Sequence, residues 1–230
     1  MSLKIIYEND NVLVIDKQSG ITVFPEGNIK EKTIIDYIIE EKPEIKKVGS
    51  SPRYGTVHRL DKDTSGILII AKNNRTLESL QGKFKERKVK KKYIALCVGK
   101  IKEDEGKIET LIGRSPKDRR KQKVYLKGDP KAKNKREAKT RFKVIKRFKD
   151  YTLLEVEIAT GRKHQIRCHL SYMQHPIAKD KLYSFKNQPY PKDLKRQFLH
   201  SSYVKVNNKE FKSDLPEDLK KAIKSLEYEK

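Results

Sequence analysis

The chain contains no tryptophan, two cysteines and no long apolar run among its 230 residues. Cys97 and Cys168 form no CxxC pair, which argues against a disulfide framework, so we expect free, buried thiols in a reducing cytoplasm. No apolar stretch approaches the roughly 20 residues that a membrane span requires. The amino-terminal residues lack the apolar segment of a signal peptide. These absences predict a cytoplasmic protein with no membrane partner.

Patterns that hold metals or nucleotides are also missing. The five histidines are scattered, and none belongs to an HExxH or Cys/His zinc spacing. The sequence has no P-loop and no glycine-rich dinucleotide motif. We therefore expect no metal site and no nucleotide cofactor.

Acidic residues are too few to balance the basic ones. Fifty-five Lys and Arg face thirty-one Asp and Glu, which gives a net charge of +24. Two segments concentrate this charge: residues 83–92 carry seven Lys/Arg and one Glu, and residues 114–147 carry sixteen Lys/Arg and three acids. Such a balance favours a nucleic-acid partner, although a solvated lysine-rich surface would have the same composition. The low apolar content of residues 115–138 predicts an exposed hairpin or a partly mobile loop at about 114–140.

Apolar patterning predicts many strands and a few helices that do not alternate strictly with them. Helices are expected at 34–39 behind Thr33, after Asn73 or Asn74, at 162–173, and at the carboxyl end after Ser213 or Asp214. Strands are expected at 4–16 (as a hairpin broken at Lys17), 21–24, 67–71, 93–98, 140–148, 151–159 and 198–206. This arrangement indicates an α+β fold with a mixed, largely antiparallel sheet. We interpret residues 1–230 as one catalytic domain.

The most informative stretch is Tyr54–Lys72, where polar residues precede the apolar run Ile67–Ala71. Polar groups beside a buried strand must be hydrogen-bonded or functional. Asp61 is our candidate for the chemical centre, although an aspartate in such a segment can simply order a turn. A nearby guanidinium would keep it ionised. Arg59 and Arg167 are both candidates for that role, and composition does not decide between them.

Six blocks follow one another along the chain: VLVIDKQSGITVFP, HRLDKDTSG at 58–66, KKYIALCVG, REAKTRFKVIKRF, TGRKHQIRCHL and FLHSSYVKV. HRLDKDTSG is similar to the pattern HRLDxxTSG, KKYIALCVG to KxYxAxVxG, and TGRKHQIRCHL to TGRTHQIRxHL. These patterns belong to the RluA-like family of RNA pseudouridine synthases, and the other three blocks resemble further parts of that family in the same order. The resemblance covers most of residues 5–206.

The resemblance implies a single pseudouridine-synthase domain with its active-site cleft across the sheet. It implies isomerisation of a uridine in ribosomal or transfer RNA by a monomer without a cofactor. Asp61 matches the catalytic aspartate, acting as nucleophile or base. The other matched residues are Tyr93 (stacking on the uracil), Arg167 (pairing with the aspartate), Arg59 (filling the space of the extruded base), Ile166 (an apolar wall), and His58, His164 and Gln165 (supporting hydrogen bonds).

Two departures from the family pattern affect what can be expected. IAKDKLYS replaces the usual G-D-x-L-Y-G, so the small residues of that loop are missing. We also expect that no S4-type RNA-binding domain precedes the catalytic domain. The two basic segments are our candidates to substitute for that RNA-binding module. Two other functions stay open at this point: an RNA-binding ribosome-assembly factor, and a hydrolase that uses Asp61 with His58 or His164.

Overall fold

The computed structural model describes residues 3–25 and 31–228. These residues form ten strands and four α-helices, and the fold is α+β as predicted. The strands are β1 (Ile5–Glu8), β2 (Val12–Lys17), β3 (Ser65–Ala71), β4 (Lys90–Val98), β5 (Glu105–Arg114), β6 (Gln122–Tyr125), β7 (Arg136–Arg147), β8 (Tyr151–Ile158), β9 (Leu199–Val206) and β10 (Lys209–Lys212). The helices are α1 (Ile34–Glu41), α2 (Asn74–Lys85), α3 (Gln165–Tyr172) and α4 (Glu217–Tyr228). The described helices include none with the length and apolarity to cross a membrane.

The chain divides into two compact units. The first comprises residues 1–90 and 201–214, and the second comprises residues 91–200 and 215–230. Strand β9 begins in the second unit and continues into the first.

The first unit is built on antiparallel strands. β1 and β2 form the predicted hairpin, and β2 pairs antiparallel with β3 so that Val14 lies opposite Ile69. Every residue of β3 is buried, as expected for a continuous apolar run. Thr33 caps α1 in a capping box with Asp36, and Asn73 caps α2, which confirms both predicted helix starts.

Two predictions for the first unit are wrong. Residues 21–24 form no strand. The backbone carbonyls of Thr22 and Val23 instead accept hydrogen bonds from the first amides of α1 at 2.9 and 3.0 Å. Those amides have no partner within a helix, so the segment satisfies them. The second strand of the hairpin also runs one residue further than predicted: Lys17, expected to begin the break, is still part of β2 and is buried.

The second unit contains a run of antiparallel pairs, β4 with β8, β8 with β7, β7 with β5, and β5 with β6. The predicted β7–β8 hairpin is confirmed, with its turn at residues 149–150. The basic segment 114–140 runs from the last residue of β5 through β6 into the first half of β7. Its first part closes the β5–β6 hairpin, in which Arg114 lies opposite Gln122. Cys97 and Cys168 are free and buried, as predicted, and burial raises the pKa of Cys168 to about 12.

The helix predicted at 162–173 begins three residues later, at Gln165. His164 adopts a left-handed conformation, with φ of 55°, so the helix cannot extend back through it. The amide of Arg162 donates instead to the side chain of Gln165, at 3.0 Å.

Candidate functional site

Asp61 lies in a loop that a buried lysine holds against the core of the first unit. Lys17 is 1% exposed, and its Nζ donates to the backbone carbonyls of Gln18, Lys62 and Thr64 at 2.8, 3.0 and 3.0 Å. The Asp61 carbonyl accepts from the Thr64 amide at 3.1 Å. Asp61 itself is half-buried. Since Lys17 binds the loop on both sides of Asp63, the position of Asp61 depends on it.

Gly66 is required where this loop enters β3. Its φ is +109°, and a Cβ at this position would lie 2.2 Å from the carbonyl oxygen of Ser201. Only glycine adopts that conformation without strain and leaves room for the close backbone approach. The third residue of the TSG sequence therefore has a steric explanation in this fold.

His58 and Arg59 have partners within the first unit. His58 accepts a hydrogen bond from the Ile69 amide at its Nε2 (3.0 Å) and stacks on Phe84, with ring centroids 4.9 Å apart. It thus ties the loop to the middle of β3. The Arg59 guanidinium lies 4.9 Å from the ring centroid of Phe24, and the Arg53 guanidinium lies 5.0 Å from the same ring. These are cation–π distances.

Tyr93, Ile166 and Arg167 lie in the second unit and are all buried. Tyr93 lies opposite Val156 in the β4–β8 pair. Ile166 and Arg167 are on the first turn of α3. The pairing of Arg167 with Asp61 that the resemblance implied stays a prediction.

Arg167 forms a two-point ion pair with Asp180. Its Nε donates to Oδ2 at 2.6 Å and its Nη2 to Oδ1 at 2.8 Å, and the Asp180 side chain is inaccessible to solvent. Asp180 also accepts from the amides of Leu182 and Tyr183 at 2.9 and 3.1 Å. This geometry fixes the guanidinium plane, so Arg167 is not a solvated helix arginine.

Tyr183 connects the ion pair to its surroundings. Its ring lies 5.2 Å from the Arg167 guanidinium, and its hydroxyl oxygen accepts from the Gln122 amide at 2.6 Å. His164 Nδ1 lies 3.1 Å from the same hydroxyl. Burial raises the pKa of Tyr183. The hydroxyl therefore stays protonated at neutral pH and can donate a hydrogen bond to His164. The contact joins the β5–β6 hairpin to the start of α3.

Gln165 is fully engaged in holding the start of α3. Its Oε1 accepts from Thr160 Oγ1 at 2.7 Å, and its Nε2 donates to the Lys139 carbonyl and to Thr140 Oγ1, both at 3.0 Å. Thr140 Oγ1 also contacts His169 Nδ1 at 2.8 Å. Burial lowers the pKa of His169 to about 4, so this histidine is neutral at pH 7.

Sequence reasoning missed three residues of this region. Asp180 and Tyr183 are in the IAKDKLYS block and match the aspartate and tyrosine of G-D-x-L-Y-G, the signal that could have identified them. Lys91 belongs to the basic segment 83–92 but is 5% exposed, and burial, with the positive charge of Arg162, lowers its pKa to about 8. That segment is therefore not uniformly a solvated basic surface. No group of three or more His, Cys, Asp or Glu that could hold a metal ion occurs in residues 3–25 and 31–228.

Comparison with known proteins identifies the family. Residues 11–172 match the family model described as RNA pseudouridylate synthase. The chain belongs to this family. The matched range contains the HRLD loop, β4 with Tyr93, and α3 with Arg167, and the predicted family is thereby confirmed.

Curated relatives of the pseudouridylate synthase family match most of the chain. An uncharacterised RNA pseudouridine synthase of Aquifex aeolicus is 39% identical over 84% of this chain and 59% of its own length. One of Bacillus subtilis is 36% identical over 98% of this chain and 73% of its own. The ribosomal large subunit pseudouridine synthase D of Nitrosomonas europaea is 34% identical over 97% of this chain and 65% of its own length. The chain thus spans about three fifths to three quarters of the length of these relatives.

Solved structures agree with the family assignment. Human RNA pseudouridylate synthase domain containing 1 is 26% identical, has a TM-score of 0.72, and covers 94% of this chain and 84% of its own. Human RNA pseudouridylate synthase domain containing 4 is 24% identical with a TM-score of 0.78, covering 97% and 93%. The second similarity shows that the fold is shared.

Proposed function

We propose that this protein isomerises uridine to pseudouridine within RNA. In this reaction the N1–C1′ glycosidic bond breaks, the uracil rotates, and C5 bonds to C1′; C5 loses a proton and N1 gains one. Atoms and electrons balance without a donor or cofactor. The observation that carries the proposal is the position of Asp61. This half-buried residue lies on a loop that Lys17 holds in place, within the range that matches the family model.

Asp61 is the proposed catalytic carboxylate. A reactive group must be held close to its productive position by its surroundings. The Lys17 bonds, the Gly66 backbone approach and the His58–Ile69 bond support this for the loop. Whether Asp61 attacks C1′ or removes a proton to start elimination, its ionised form is the active one.

The remaining proposed roles follow the family pattern. Tyr93 stacks on the uracil and assists removal of the C5 proton, Ile166 forms an apolar wall, and Arg167 stabilises the Asp61 carboxylate. Its fixed guanidinium supports this last role. A base inside structured RNA must flip out before it can react, at a cost of a few kcal/mol. Arg59 fills the space that the extruded base leaves. The contact between the Arg59 guanidinium and the Phe24 ring supports this role, because it shows this planar cation stacking on a ring.

Large-subunit ribosomal RNA is the substrate that we favour over transfer RNA. The relative named ribosomal large subunit pseudouridine synthase D aligns with 97% of this chain. The exposed basic residues of 83–92 and 114–147 would contribute phosphate contacts. A cytoplasmic monomer formed as one catalytic domain stays a prediction.

Tritium release from RNA labelled at C5 of uridine tests the activity. Wild type should release tritium from total cellular RNA, and Asp61→Ala should not. Release by both proteins would contradict the role of Asp61. Strong RNA binding without release by wild type would favour the assembly-factor alternative.

Pseudouridine mapping tests the substrate. Ribosomal RNA from cells without the gene should lack one or more pseudouridines that the parent cells contain, with transfer RNA unchanged. Loss confined to transfer RNA would contradict the proposed substrate.

A further inference from the structure

The most exposed aromatic side chains of the described residues lie in one segment. Tyr172, Phe185 and Tyr190 are 47, 43 and 49% exposed, whereas the other strongly exposed large hydrophobic residues are aliphatic. Single exposed apolar side chains are ordinary on protein surfaces. Three aromatic rings in a stretch of nineteen residues require an explanation. We call residues 172–195 the aromatic segment.

The aromatic segment is anchored on both sides of Phe185 and Tyr190. Tyr183 and Leu194 are buried, and the Asp180 carboxylate accepts from two backbone amides of the segment. Phe185 lies in a turn, because its amide donates to the Gln188 side chain at 3.0 Å. The rings therefore project from backbone that is tied to the second unit.

The charge of the aromatic segment is strongly positive. Only two acids accompany its lysines: Asp180, which is buried against Arg167, and the exposed Asp193. The ammonium of Lys179 lies 3.3 Å from the centroid of the Tyr190 ring. The lysines of the segment are Lys179, Lys181, Lys186, Lys192 and Lys195.

We propose that the aromatic segment binds unpaired nucleotides of the RNA substrate. Exposed rings interleaved with cations suit single-stranded RNA, because bases stack on the rings while lysines contact phosphates. A protein partner fits less well, since lysine is depleted in protein–protein interfaces. This inference rests on the proposed function, which identifies RNA as the substrate.

Binding measurements on two RNA probes test this surface. The probes are an oligouridine of about 16 nucleotides and a fully paired duplex of equal length. Phe185→Ala and Tyr190→Ala should each weaken binding of the oligouridine roughly tenfold, with little change for the duplex and in the salt dependence. Lys186→Gln should instead reduce the slope of log affinity against log salt by about 0.7. Ile5→Ala, an exposed apolar position (44%) outside both basic segments, is the matched control and should change neither.

The outcomes separate the alternatives. Unchanged oligouridine affinity in both aromatic variants would overturn the proposal, and would point to a protein as the occupant of this surface. An equal loss on oligouridine and duplex would also overturn it, since paired bases cannot stack on these rings. Because the assay measures binding alone, a wild type that binds but releases no tritium would refute the proposed function and leave this surface intact.

Discussion

Replacing Lys17 with Met removes the clamp on the Asp61 loop while retaining the length of the side chain. The Thr64 carbonyl bond is buried, and losing its donor costs about 1–3 kcal/mol. The Gln18 and Lys62 carbonyls are partly buried and can be rehydrated, so each adds roughly 0.5–1 kcal/mol. Relief of the cost of burying the lysine offsets part of this sum. We expect a net loss of about 3 kcal/mol in the free energy of unfolding.

Differential scanning calorimetry measures this loss. In a chain of this size, 1 kcal/mol corresponds to about 2–4 °C, so Tm should fall by roughly 6–12 °C. Lys4→Met is the control, because Lys4 forms only an exposed ion pair with Asp16 and should change stability by less than about 1 kcal/mol. Tritium release well below Tm should also remain reduced in Lys17→Met, since the loop has lost its support. An unchanged Tm would contradict the stabilisation of the loop by Lys17. Full activity at low temperature would contradict the role of Lys17 in positioning Asp61.

Three further changes test other parts of the structure. The pKa of His169 is about 4 when folded and ordinarily 6.5, so its contribution to stability is complete above pH 6.5. As pH falls from 6.5 to 4 the unfolded state binds the proton first, and about 3 kcal/mol of the free energy of unfolding is lost. Urea unfolding of His169→Gln should lack this part of the pH dependence. Parallel plots of unfolding free energy against pH for the two proteins would contradict the prediction. Asp180→Asn removes the charge of the buried carboxylate that pairs with Arg167 and should cost about 3–5 kcal/mol in urea unfolding, whereas a loss below about 1 kcal/mol would show that the pair is dispensable. Gly66→Ala should lower Tm and expression sharply because its Cβ meets Ser201; a wild-type Tm would mean that the backbone approach is looser than described.

Local sequence patterns predicted the elements whose causes are local. The run Ile67–Ala71 has no polar residue, and it forms a strand buried on both faces. Thr33 and Asn73 offer side-chain oxygens where helices begin, and both are caps. The start of α3 was predicted three residues too early. Its first residue is set by the left-handed backbone at His164 and by the long-range hydrogen bonds of Gln165, and neither is visible in a local pattern.

The candidate site depended on contacts that periodicity does not reveal. The resemblance pointed to Asp61, Tyr93 and Arg167, but the Asp180 partner of Arg167 lies thirteen residues away across an irregular segment. Lysine is rarely buried, so nothing in the composition distinguished Lys17 or Lys91 from the many lysines at the surface. Only the folded chain shows that Lys17 reaches three backbone carbonyls.

In the proposed reaction, the carboxylate of Asp61 carries out the isomerisation. Asp61→Asn preserves the size of the side chain and removes its charge, so RNA affinity should stay close to that of wild type. Single-turnover tritium release from C5-labelled RNA should fall by a factor of at least about 10³. A rate within tenfold of wild type, at equal RNA binding, would contradict the account.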